Sequence, residues 1–518
     1  MNKRSTVLYW GPCVLLAIAL IFKRIGRGYM YLASDYLFLA VSLIAGVGLT
    51  QSAVQLAKGG GAPGRVFIKI LFALVVLIGA PTFFLAGNIG ADTWLTRAPK
   101  DFDTAGARST ARAFETLDDP GPQLLSAISE AVQRRRVVGL GEGHHLTSEY
   151  SQAKVALVRY LHEHEGFDLL AFESPIATLE LALQNMKESN DPEAGLSGLF
   201  AVWHTEEVLP LFKYVLSTWS TERPLRLVGI DPQHFFQDWN SAGKFLQETL
   251  AEVDGPLAAE EAAERNRWES IMRKRKHCRS DDPMVAAGRD LYLRMADVLR
   301  NEAEARREST PDRALRLELA AMVADGIAVD WEILTLSNPE SFYLRDRTMA
   351  ANIIRLADQL LPDSRIMVWA HNTHLTRRPD LQQGLALDVY RSSIWWRGGR
   401  RPWEITMGRL LGEHFAADYY SLGWLTRGGR CGSMYRFGDW DPVRALRRDS
   451  VESLLGPEEA PAVFLDLDKH RSYYAGRSLC FREGHSTWWR AEIQQQFDGL
   501  LILDKVSPPD RSPLRHSV

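Results

Sequence analysis

Cysteine is scarce in this chain, with four among 518 residues. No CxxC and no paired Cys/His spacing is present, which excludes a disulfide scaffold and a zinc-finger or thioredoxin-type motif. Cys431 and Cys480 remain able to pair in an oxidising compartment. Excess charge is also missing: a formal net charge of -3 gives no electrostatic reason to expect nucleic acid. No internal repeat of fixed period is evident. There is no GxSxG elbow and no P-loop. Gly139, Gly141 and Gly143 imitate a dinucleotide loop, but an acid and two histidines stand where a phosphate-facing helix would begin.

Long apolar runs are present, and they crowd the front of the chain. Residues 7–22, 36–56 and 70–89 are uncharged and apolar. The last two meet the requirement of about 20 residues for a spanning helix, and the first lies at its lower edge. Tyr9, Trp10, Tyr29 and Tyr31 fall where interfacial aromatics belong. No A-x-A-like cleavage site follows the first run, so a retained anchor of about three transmembrane helices over residues 1–92 is expected rather than a signal peptide. Lys3, Arg4, Lys58, Arg65 and Lys69 on the inner side, against Lys23, Arg24 and Arg27, would place the rest of the chain outside a bacterial inner membrane.

Residues 93–122 form a charged linker, and residues 123–508 carry the soluble domain. Here short apolar runs alternate with segments of helical spacing, such as Val155, Leu157, Val158 and Leu161 before a stop at Gly166. The expectation is an α/β fold: a mostly parallel sheet with flanking helices, preceded by the three transmembrane helices. Between about residues 235 and 336 strands vanish, and Leu291, Met295 and Leu299 mark a helical insertion. Residues 509–518 read as a disordered tail.

Four apolar strands end at once in a carboxylate or an imidazole. VVGL runs into Gly141-Glu142-Gly143-His144-His145, LLAF into Glu173, LVGI into Asp231, and IMVWA into His371-Asn372-Thr373-His374. Parallel strands of an α/β sheet deliver such groups to one crevice at their carboxyl ends. An imidazole is a suitable general base for water, and Glu142, three residues away, can orient His145. His371, Asn372 and His374 can donate to a developing oxyanion. The same HNxH segment could instead form a metal half-site completed by Glu142 or Glu173.

The ordered set resembles the erythromycin esterase family. That family shows GExxHGxxE after its first strand, here Gly141 to Glu149. It shows a carboxylate strand end, here Phe172-Glu173, and a W-x-T-x-E helix start, here Trp203 to Glu207. A GxD strand end follows, here Gly229 to Asp231, and then WAHNxH, here Trp369 to His374. The resemblance covers about residues 125–508. It implies metal-independent ester hydrolysis without a cofactor. His145 would activate water with help from Glu142 and Glu173, and His371 and His374 would lie near the scissile carbonyl. It also implies that Lys154 supplies a basic group that binds an acid or oxyanion; His144, Asp231 and Asn372 are read beside it as further substrate-binding residues. Leu146 departs from the pattern, replacing the glycine after the catalytic histidine, and His144 fills a usually small or hydroxyl position.

The resulting expectation is a membrane-anchored hydrolase acting on a small-molecule carboxylic ester, its partners being that substrate and the lipid bilayer. The alternatives are a metal-dependent hydrolase built on His145, His371, His374 and a carboxylate, and a non-catalytic tethered binding protein.

Overall fold

The computed structural model describes residues 102–510 apart from 115–121, 235–238, 273–278, 280, 337, 383–404, 434–438, 458 and 486. Eleven strands are found among them: β1 (Arg112–Phe114), β2 (Val137–Leu140), β3 (Leu169–Pro175), β4 (Arg226–Asp231), β5 (Ile366–Trp369), β6 (Tyr419–Gly432), β7 (Trp440–Pro442), β8 (Ala462–Asp466), β9 (Ser478–Glu483), β10 (Thr487–Glu492) and β11 (Gly499–Val506). Nine form one sheet in the order β1-β8-β11-β6-β2-β5-β3-β4, with β7 paired to β6. The run β11-β6-β2-β5-β3-β4 is parallel throughout, and the pairings β1–β8, β8–β11 and β6–β7 are antiparallel. β9 and β10 make a separate antiparallel hairpin.

The central strands are short and buried on both faces, which is why they read as continuous apolar runs. Alternate residues enter opposite layers. Val137, Ala171, Val228 and Val368 face one core, while Val138, Phe172, Leu227 and Trp369 face the other. In register, Leu140 and Phe172 both pair with Trp369, and Phe172 also pairs with Gly229. The carboxyl ends of four adjacent parallel strands are therefore level. A bulge between Phe172 and Pro175, near the end of β3, holds Glu173.

Helix α1 (Ser148–Glu165) follows β2 and stops at Gly166, whose φ of 76° is left-handed. The segment after β4 forms α2 (Trp239–Ala251), α3 (Gly255–Met272), α4 (Pro283–Arg306) and α5 (Pro311–Ile333). Phe245, Leu291, Met295, Leu299 and Trp331 from these helices join the core under Val137, Ala171 and Val368, so the inserted helices form a layer on one sheet face. Helix α6 (Asn338–Arg355) then carries Arg345 and Asp346 to the strand ends, and α7 (Met407–Phe415) precedes β6.

The expectation of three membrane-spanning helices is corrected. Among the described residues no helix is long and apolar enough to cross a membrane. The longest, α4 and α5, carry charged side chains on their solvent-facing turns, as in Arg289, Arg294 and Arg313. The three apolar runs of residues 7–22, 36–56 and 70–89 lie outside the described residues, as do Cys13, Cys278 and residues 511–518. The open pairing of Cys431 with Cys480 is settled too: both are free and buried. Cys431 Sγ donates to the Asp441 carbonyl and Cys480 Sγ to Asp449 Oδ2, each at 3.5 Å.

Candidate active site

The loop after β2 turns tightly because its glycines let other backbone come close. A Cβ on Gly141 would stand 2.2 Å from Asn372 Oδ1 and 2.8 Å from the Leu422 carbonyl. That approach brings Glu142 into the interior, where it is 2% exposed. Its Oε1 lies 2.5 Å from His145 Nδ1 and accepts from Trp203 Nε1 at 3.0 Å, while Oε2 accepts from Lys154 Nζ on α1. Burial raises the Glu142 pKa, but the Lys154 ammonium and His145 outweigh it and push it down to about 2. Burial likewise lowers Lys154, against the pull of Glu142, to about 8. At neutral pH the pair is ionised, and Nδ1–H of His145 donates to a carboxylate. The other nitrogen, Nε2, is then the one with a lone pair.

Across from His145 stands His371, with ring centroids 4.8 Å apart and planes at 52°. The Thr373 amide donates to His371 Nδ1 at 3.3 Å, so this nitrogen accepts and Nε2 carries the proton. Glu483 Oε1 from β9 lies 3.3 Å from the same Nδ1. Burial holds the His371 pKa well below its ordinary value and raises that of Glu483 well above the carboxylate range. Both are neutral, so the contact is a carboxyl group beside an imidazole rather than an ion pair. His145 and His371 retain 12% and 14% side-chain exposure, far more than Glu142, and are the groups that a ligand can touch.

Below them lies a buried charged cluster. Glu173 Oε2 accepts from the His371 backbone N–H at 2.9 Å, and its Oε1 takes Arg345 Nη2 at 2.7 Å and His374 Nε2 at 3.1 Å. Arg345 Nε also reaches Asp231 Oδ1 and Oδ2, at 3.2 and 3.1 Å. His374 Nδ1 meets Asp346 Oδ1 at 2.6 Å. Against a large desolvation cost, the carboxylates of Asp346 and Glu173 raise His374 to about 10. His374 is thus an imidazolium, and its Nε2, 3.1 Å from Arg345 Nη1, is a like-charge neighbour joined to it through Glu173.

Seen together, Glu142, His145, Glu173, His371 and His374 converge at the strand ends. Four other residues read as substrate-facing are placed differently. Lys154 is fully buried, bonded to Glu142 and set 4.1 Å from the Trp369 ring centroid. Asp231 is fully buried against Arg345. Both ends of the Asn372 carboxamide bond the backbone of Trp424. His144 turns away from His145, with Nδ1 on the His145 carbonyl and its ring 5.4 Å from that of His485. Arg345, Asp346, Trp203 and Glu483 were not assigned to the site on sequence. Only Trp203 carried a signal, through its place in the W-x-T-x-E segment.

An imidazole held by a buried carboxylate faces a second imidazole at the carboxyl end of a parallel sheet, an arrangement able to move a proton and to donate to an oxyanion, as hydrolytic enzymes of the α/β class do. The erythromycin esterase family model matches residues 162–506. The chain belongs to the erythromycin esterase family. It is similar to a putative hydrolase, YbfO, of Bacillus subtilis, being 24% identical over 477 residues that cover 86% of this chain and 98% of that protein. It is also similar to erythromycin esterase type I of Escherichia coli, with 24% identity over 284 residues, 49% of this chain and 64% of that one. Among solved structures, a mutant of the erythromycin esterase EreC in its open conformation shares the fold. Its TM-score is 0.53 at 18% identity, covering 77% of this chain and 98% of that one.

Proposed function

We propose that this protein hydrolyses a carboxylic ester by attack of a water molecule activated by His145. The observation that carries the reading is the pairing of His145, backed by ionised Glu142, with neutral His371 at 4.8 Å. Water gives its proton to His145 Nε2 as its oxygen bonds to the ester carbon. The imidazolium charge is compensated by Glu142 through Nδ1–H. The carbonyl oxygen, now negative, accepts from His371 Nε2–H. Collapse breaks the carbon–alkoxide bond, and the His145 imidazolium returns its proton to the departing alkoxide. Glu173, Arg345 and His374 hold the His371 backbone in place and do not exchange protons in the cycle.

The substrate class includes a macrolide lactone, because relatives bear the name erythromycin esterase. A metal-dependent reaction through His145, His371 and His374 is disfavoured by His374, whose two nitrogens are already taken up by Asp346 and Glu173. The test is hydrolysis by the purified full chain of a panel containing a macrolide lactone and simple aryl and acyl esters. Turnover should survive brief chelation and disappear in His145→Ala. Silence on every ester, with ligand binding retained, would instead favour a binding protein, and equal turnover in His145→Ala would remove the mechanism.

A further inference from the structure

Beside the catalytic pair, and separate from it, three metal-ligating side chains from remote parts of the chain converge. His144 comes from the loop after β2, Cys431 from the end of β6 and His485 from the turn joining β9 to β10. Their donor atoms all lie within 4.8 Å of one another. We propose that His144, Cys431 and His485 form a structural zinc site that fastens the catalytic loop to β6 and to the β9–β10 hairpin.

The donor set suits that ion. One thiolate and two imidazoles are borderline-soft ligands, and zinc takes such sets in tetrahedral geometry. Bond lengths of roughly 2.0–2.3 Å put tetrahedral donors about 3.3–3.8 Å apart, so the present spacing needs to close by at most about 1.5 Å. The fourth position falls to water, as is usual where a protein supplies three ligands. His144 already has the outer partner common to metal-bound histidines. Its Nδ1 is tied to the His145 carbonyl, which leaves Nε2 as the nitrogen for the ion. Cys431 is buried, and Gly143, Thr147, Tyr150 and Arg482 close a small cavity around the group.

The position explains why an ion would be useful there. The strand end carrying Cys431 is bonded to the loop through Gly432 N–H and the Leu146 carbonyl, at 2.8 Å. Leu146 itself has a φ of 54°, a left-handed conformation that a leucine resists. A zinc ion on His144 would clamp this strained turn from its other side and so fix the backbone that aims His145. The site would be structural, since neither His145 nor His371 is a ligand.

The experiment is titration of the purified, metal-stripped full chain with Zn²⁺ in competition with a chromophoric chelator, followed by Co²⁺ spectroscopy. The wild type should bind one equivalent of Zn²⁺, and its Co²⁺ form should show a thiolate-to-metal charge-transfer band. Cys431→Ser should abolish that band. His485→Gln, a change in a partly exposed turn, should weaken Zn²⁺ by more than the roughly 10–100-fold that loss of an outer-shell partner costs. His371→Ala should leave both readouts unchanged. No stoichiometric binding, or binding lost in His371→Ala but kept in Cys431→Ser, would overturn the proposal. These readouts are independent of whether any ester is cleaved.

Discussion

Thr373 N–H donates to His371 Nδ1 while Glu483 Oε1 lies 3.3 Å from the same atom, so one imidazole nitrogen is read by two neighbours at once. The consequence is a single tautomer that carries its proton on Nε2, the form needed to donate to an oxyanion. Two buried carboxyl groups therefore flank the two site histidines in opposite charge states. Glu142 is ionised and Glu483 is neutral.

That difference predicts a contrast between isosteric variants. Glu142→Gln removes the charge that compensates the His145 imidazolium, and kcat should fall by roughly 10²–10⁴-fold, the usual range for a general-base device, with KM little changed. Glu483→Gln exchanges one uncharged side chain for another of the same shape and should keep kcat within about tenfold, or ~1.4 kcal/mol. Steady-state kinetics of both on one ester checks this. A collapse of activity in Glu483→Gln would mean that Glu483 works as a carboxylate.

Arg345 offers a stability prediction. It bridges Asp231 and Glu173 inside the protein with 10% side-chain exposure. Arg345→Met would leave Asp231 without its cation and Glu173 with only the His374 imidazolium, and breaking such a buried set costs about 3–5 kcal/mol. Urea unfolding at neutral pH should show that loss and should recover part of it on acidification, as Glu173 takes up a proton. An Arg345→Met midpoint within error of the wild type would show that the pair does not hold the fold.

His374 sets a pH dependence. Its folded pKa is raised to about 10 from an unfolded value near 6.5, so the folded state binds the extra proton between those limits. The stabilisation is fully present below about pH 6.5 and is lost as pH rises toward 10. Lys154, lowered to about 8, works in the opposite direction from about pH 8 to 10.5, so the wild-type curve alone is ambiguous. Melting temperature from pH 6 to 10 should decline more steeply in the wild type than in His374→Gln. Parallel curves would show that His374 is not the titrating group.

The strand ends were legible because a buried parallel strand must be apolar on both faces. The first polar residue after VVGL, LLAF, LVGI or IMVWA therefore stands out as a crevice residue. Side-chain direction carried no such mark. Lys154, Asp231 and Asn372 sit at the right places in sequence, but their partners are distant: Glu142, Arg345 and the Trp424 backbone. Arg345 and Asp346 come from a helix whose charged turn reads as solvated until the sheet is assembled around it. Glu483 and His485 lie on and beside a hairpin that was not anticipated, because buried Arg482 and Glu483 interrupt its apolar run. The His144–Cys431–His485 cluster spans hundreds of residues and leaves no local spacing to recognise.

Leu146 supplies the last prediction. It is a leucine at φ 54°, 4% exposed. Two effects oppose each other there. The side chain contributes about 1.5–3 kcal/mol by burial. The left-handed backbone costs a residue with a Cβ roughly 1–2 kcal/mol, and glycine escapes that cost. Leu146→Ala loses the burial and keeps the strain, whereas Leu146→Gly loses both. Both variants should be less stable than the wild type, with Leu146→Gly more stable than Leu146→Ala by about 1 kcal/mol. This reverses the order in extended or helical backbone, where glycine is the worse residue by about 0.5–1 kcal/mol. Chemical unfolding of the two variants side by side reads the sign directly. Were alanine the more stable, the turn would not be held left-handed in solution, and the clamp on the catalytic loop would have no strain to oppose.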